Sequence, residues 1–157
     1  GAGKSTTGTL LSQRLGWPFR DADSFHPPEN IEKMSRGVPL EDEDRWPWLS
    51  AIAAWIDERL QRGEAGIVSC SALKRRYREI LRDAARPQPL RFIYLRGTRE
   101  MIGERLRRRK GHFMPPALLE SQFEALEEPA VDEDAWVCDV EGPANAIVAT
   151  LVSRASA

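Results

Sequence analysis

The chain opens on Gly1-Ala2-Gly3-Lys4-Ser5-Thr6 and runs at once into a stretch with leucines at helical spacing. This is the second half of the pattern GxxxxGK[ST]. Few residue orders constrain a fold as tightly, because the glycines, the lysine and the helix serve one anion together. Glycines let backbone N–H groups curl around phosphate oxygens with no Cβ in the way. The helix that follows points its positive N-terminal end at the same charge. Gly1, Ala2, Gly3, Lys4, Ser5 and Thr6 are therefore candidate phosphate contacts. Lys4 reaches the β- and γ-phosphates, and the Ser5 hydroxyl ligates Mg²⁺. The first glycine of the pattern, and the strand leading into it, would lie ahead of Gly1 and outside this sequence.

The rest of the chain alternates strand and helix signals. Helices are expected over 4–15, 46–62, 74–84, 98–109, 117–126 and 144–154, with a short one near 31–34. Short apolar strands are expected at 18–21, 65–69, 90–95 and 136–139. Such alternation gives an α/β fold with a parallel sheet. A length of 157 residues suits one domain, 1–157, with one core. No repeat or linker divides it.

Composition removes several classes of function. Net charge is −1, which gives no case for nucleic acid or an anionic membrane. No apolar run is long enough to span a bilayer, and no signal peptide is visible. Cys70 and Cys138 lack metal-type spacing and read as reduced thiols of a cytosolic protein. His26 and His112 suggest no metal site. Trp46, Trp48 and Trp55 read as packing residues.

Asp21-Ala22-Asp23 stands just after the second strand signal, where ligands gather in an open parallel sheet. Spacing of two on an extended segment turns both carboxylates the same way. One of them suits the metal, through water, and the other suits the proton of an attacking hydroxyl. The strand at 65–69 ends in Ser69-Cys70-Ser71, without the acidic residue that motor ATPases carry there. Asp21 is then the obvious acidic partner for the metal. Arg105, Arg107, Arg108, Arg109 and Lys110 crowd one helix end, as in a lid that closes over phosphates. Arg105 and Arg109, four apart, share a face. Lys33, Arg45, Lys74 and Arg78 form a looser set, suited to the carboxylate of an acidic acceptor. His26, close to Asp23, is placed to hydrogen-bond a sugar hydroxyl.

Taken together these blocks resemble the gluconokinases. The resemblance is carried by GAGKS (1–5), DADSFHPPENIEKMSRGVPLEDEDRWPWL (21–49), SCSALKRRYR (69–78), FIYLRG (92–97), RLRRRKGHF (105–113) and QFEALEEP (122–129). It implies a nucleoside-monophosphate-kinase-like fold of the P-loop class, three layers with helices on both faces of the sheet, and a lid near 105–126. It implies ATP and Mg²⁺ as cofactors, gluconate as acceptor, 6-phosphogluconate as product and a homodimer. Carried over by position, Lys4, Asp23, Arg105 and Arg109 are catalytic. His26, Lys33, Arg45, Lys74 and Arg78 line the gluconate pocket with Asp23. Two other readings stand beside it: a kinase for a different small acceptor such as shikimate, and a nucleotide-binding module without turnover. The long HPPENIEKMSRGVPLEDEDR segment favours gluconokinase over the first.

Overall fold

The computed structural model describes residues 4–88, 90–97, 100–102, 104, 116–139 and 143–155. Helix α1 (Lys4–Leu15) ends where Gly16 takes φ +72°, a left-handed turn that favours glycine. Strand β1 (Phe19–Asp21) follows, then a 3₁₀ turn (Ala22–Phe25). Helix α2 (Pro28–Ser35) starts on proline, whose missing N–H costs nothing in a first turn. Helix α3 (Asp42–Gln61) precedes β2 (Ile67–Ser69) and α4 (Arg75–Ala85). Strand β3 (Ile93–Arg96), helix α5 (Pro116–Ala125), a 3₁₀ turn (Val131–Glu133), strand β4 (Trp136–Asp139) and helix α6 (Ala144–Ala155) complete the order.

The largest departure from the expected elements is the start of α3, four residues early. Glu41 and Asp44 form a reciprocal capping box, and three acidic residues fill the first turn. These signals outweigh Pro47 inside the helix. The expected helix at 98–109 is described only at 100–102 and 104, which are helical.

Among the described residues the strands form two pairs, both parallel, as the alternation predicts. β1 pairs with β2, with Phe19 opposite Ile67 and Asp21 opposite Ser69. β3 pairs with β4, with Ile93 opposite Trp136 and Arg96 opposite Asp139. Successive strand residues feed opposite cores. Val68 and Phe92 pack with Trp48, Leu49, Ile52, Tyr77 and Leu81 of α3 and α4. Their neighbours Ile67 and Ile93 pack with Leu11, Val148 and Leu151 of α1 and α6. The second cluster joins both strand pairs under one pair of helices. Helix–strand–helix layering of this kind is the three-layer architecture expected from sequence. Near the site, α1 lies so close to β1 that a Cβ on Gly8 would come 2.3 Å from Cε2 of Phe19.

The segment after α5 is bound to the body by acidic side chains. Tyr94 donates to Glu128 (2.9 Å), Arg75 pairs with Asp132, and Arg91 pairs with Asp134 (3.1 Å). Glu133 is the buried member. It accepts from Nε and Nη2 of Arg78 at 2.6 and 3.0 Å and from Arg82 at 3.0 Å. The Arg78 hydrogen bonds, helped by the Ala130 amide and Arg82, lower the Glu133 carboxyl to about 2. A carboxyl depressed in the fold stabilises it above the ordinary range near 4.5, and that stability is lost as pH falls toward 2. Glu133→Gln should cost about 3 kcal/mol at pH 7, since it strands a buried arginine. Urea midpoints should show the wild type losing more stability than the variant between pH 5 and pH 2.

Candidate functional site

The carboxyl ends of β1 and β2 lie level, and α1 begins beside them. There the Ser5 hydroxyl donates to Oδ2 of Asp21 at 2.9 Å. The other Asp21 oxygen accepts the Asp23 amide at 3.0 Å, which caps the 3₁₀ turn and fixes the carboxylate's orientation. Asp23 is exposed in the first turn that follows. Cys70, one residue past β2, feels the charges of Lys4, Asp23 and Asp21 together. Burial, the dominant effect, pushes its thiol up to about 12. A neutral thiol thus sits among the three charged groups that the sequence assigns to phosphate, metal and proton. The donor set of Ser5 and Asp21 is all oxygen, which fits Mg²⁺, an ion that commonly takes only one or two protein ligands.

A line of polar groups runs from Asp23 toward α4. The His26 ring stacks on Trp48 with centroids 4.6 Å apart and planes 8° from parallel. Its Nδ1 lies 3.1 Å from Nδ2 of buried Asn30. That amide also donates to the Asp44 carbonyl at 2.8 Å, so it meets Nδ1 as a donor and leaves the His26 proton on Nε2. Burial lowers the His26 pKa below its ordinary 6.5; Asp23 opposes the shift and Arg45 adds to it. Trp48 also donates Nε1–H to the Ala22 carbonyl at 2.8 Å, tying α3 to the turn that carries Asp23.

Beyond His26 lies a cleft of about 300 Å³ between the start of α3, Lys74 and helix α5. Arg45 and Lys74 line it, with Glu41, Asp42 and Glu43 opposite in charge and Ser121 and Ala125 on the α5 side. Arg45 donates Nη1–H to the Tyr77 hydroxyl at 2.8 Å. Tyr77 in turn donates to Asp42 Oδ1, which also accepts Lys74 at 3.2 Å, while Arg76 pairs with Oδ2. The Tyr77 hydrogen bond is the main cause of a lowered Asp42 pKa, with Lys74 and Arg76 adding to it. Lys33 pairs with Asp44 at 2.9 Å, and that bond raises the lysine and lowers the aspartate.

The structure thus brings Ser5, Asp21, Asp23 and Lys4 to one end of the sheet, and Arg45 and Lys74 to one cleft. Thr6 is exposed on α1. Arg78 is different. It is 2% exposed, and its guanidinium is held by Glu133 and, at 2.8 Å, by the Ala72 carbonyl. Its nearest anion is therefore internal. Gly1, Ala2, Gly3, Arg105, Arg109 and the remaining basic run through Lys110, together with His112, lie outside the described residues. Sequence reasoning missed the carboxylates that pre-pair the cations: Asp42, Asp44 and Glu133. The dense EDEDR run at 41–45 was the available signal for the first two. Tyr77 and Asn30 left no comparable trace.

Comparison with known proteins identifies the family and the fold. The shikimate kinase family profile matches residues 1–152. A gluconokinase from Gluconobacter oxydans is 47% identical over 85% of this chain and 74% of its own. A solved gluconokinase from Sinorhizobium meliloti superposes with a TM-score of 0.84 at 48% identity, covering 95% of this chain and 82% of that one. A sugar kinase from Janibacter superposes with a TM-score of 0.89 at 43% identity, covering 98% and 87%. The chain is a P-loop kinase in fold, and it belongs to the gluconokinase family within the group that the shikimate kinase profile describes.

Proposed function

We propose that the protein transfers the terminal phosphoryl group of ATP to gluconate, giving 6-phosphogluconate, as one kinase domain over 1–157 with a lid near 105–126. The observation that carries this reading is the junction of Ser5, Asp21 and Asp23. It joins the phosphate end of α1 to two carboxylates at one end of the sheet. In this reading Gly1 to Thr6 embrace the phosphates, and Lys4 draws negative charge from the transferring group. Ser5 and Asp21 would hold Mg²⁺, which supplies charge neutralisation at the phosphates. Asp23 accepts the proton of the attacking hydroxyl. Neutral His26 donates Nε2–H to a hydroxyl of the acceptor. Arg45 and Lys74 receive its carboxylate, with Lys33 nearby. Arg78, buried on Glu133, serves from behind by keeping Ala72 and the start of α4 in place. Arg105 and Arg109 act from the lid. The working form is a homodimer in the cytosol.

An ADP-release assay across gluconate, shikimate, glucose and AMP tests the substrate. Gluconate should be strongly preferred; a preference for shikimate would move the protein to the alternative acceptor class. ATP binding without ADP formation on any acceptor would mark a module without turnover. Asp23→Asn should lower kcat by about a hundredfold or more while ATP affinity holds. Turnover near wild type would remove the base role. For His26, ¹⁵N NMR should show the Nε2–H form at pH 7 and a midpoint below 6.5. Its depressed pKa means the fold loses stability as pH falls below 6.5, where the unfolded chain protonates first. KM for gluconate should rise on protonation, because Nδ1 can then no longer accept from Asn30.

A further inference from the structure

Lys74 is the cleft cation that stands at the start of a helix rather than within one. It occupies the N-cap of α4, and its own side chain caps nothing, because an ammonium group has no acceptor to offer a backbone N–H; it donates instead to Asp42. The first free N–H of α4 is that of Arg75, and its partner comes from 52 positions along the chain. Oε1 of Glu127 accepts it at 3.0 Å. The backbone N–H of the same Glu127 donates to the Leu73 carbonyl at 2.7 Å. One residue therefore grips the main chain on both sides of Lys74. Its carboxylate also faces the positive end of α4, where negative charge is favourable.

The position of Glu127 gives this grip a consequence. It stands two residues beyond the end of α5, whose Ser121 and Ala125 form the wall of the cleft facing Lys74. A single clip thus sets both the wall and the cation at once. The neighbouring contacts of Glu128, Asp132 and Glu133 hold the same segment to the body but touch neither Leu73 nor the Arg75 amide.

We propose that Glu127 is a positioning residue for the phosphoryl acceptor: it clamps the backbone around Lys74 so that the ammonium group meets the acceptor's carboxylate at a fixed distance from α5. This rests on the reading of Lys74 as an acceptor contact. Glu127 touches no reacting atom and acts only through Lys74. Its removal therefore weakens acceptor binding without touching the nucleotide site at α1.

Steady-state kinetics and amide exchange on the whole protein test it. Glu127→Ala should raise KM for gluconate about tenfold, the effect of losing a helix cap, with KM for ATP unchanged. Exchange at the Arg75 amide should quicken. Glu127→Gln keeps an oxygen that can accept the same N–H, so it should restore most of both properties. In a Lys74→Ala background, Glu127→Ala should add little. An equal rise in both KM values, full additivity with Lys74→Ala, or failure of glutamine to rescue would each overturn the proposal. If Lys74→Ala leaves KM for gluconate unchanged, the acceptor role of Lys74 falls and the positioning role with it. Arg75 exchange would still report separately whether the clip exists.

Discussion

A parallel strand buried on both faces has to satisfy two cores at once, and the site follows from that requirement. Val68 looks toward α3 and α4 while Ile67 looks toward α1 and α6; Phe92 and Ile93 divide in the same way. Where both faces are covered, as along β2, the places left for polar chemistry are the strand ends. At the carboxyl ends of β1 and β2 the chain leaves the sheet through Asp21 and Cys70, and α1 starts beside them. The register that sets Asp21 opposite Ser69 therefore also brings Ser5, Asp21 and Asp23 together. Gly8, with no room for a Cβ against Phe19, lets α1 come down close enough.

The second organising feature is electrostatic. Arg45, Lys74, Lys33 and Arg78 are each paired or hydrogen-bonded within the protein, to Tyr77, Asp42, Asp44 and Glu133 respectively. Internal partners keep long basic side chains ordered before a ligand arrives, which lowers the entropy lost on binding. They also compete with the ligand. An arriving carboxylate must offer Lys74 more than Asp42 does, at partly exposed groups where ion pairs are individually weak. Arg78 lies at the other limit. With both partners of its pair almost wholly buried, exchange of Glu133 for a ligand would strand a charge, so its part is structural.

Much of this was legible in the sequence because it rests on local chemistry. The helix after Lys4, the strand 136–139 and the parallel sense of the strands follow from motif and periodicity; the sequence assigns Ser5 and Asp21 to one metal ion, and in the structure the two side chains are hydrogen-bonded to each other. The start of α3 lies four residues ahead of the expected one because the Glu41–Asp44 box begins the helix before the apolar periodicity does. The internal partners of the cations were invisible for a different reason. Lys74 and Asp42 are 32 positions apart, and Arg78 and Glu133 are 55 apart. No periodicity links residues across such loops; only the fold does. A burial estimate for Arg78 would have required knowing that the segment after α5 returns to cover α4.

The thiol of Cys70 has a consequence for how charge is apportioned along the sheet edge. A group held neutral at ordinary pH adds nothing to the negative charge that Asp21 and Asp23 already place beside Lys4. A third carboxylate there would repel the other two and compete with phosphate oxygens for the lysine. By placing a neutral thiol just past β2, the chain leaves the acidic duty to Asp21 at the end of the neighbouring strand and Asp23 in its turn. An incoming anion then competes with two carboxylates for the lysine rather than with three.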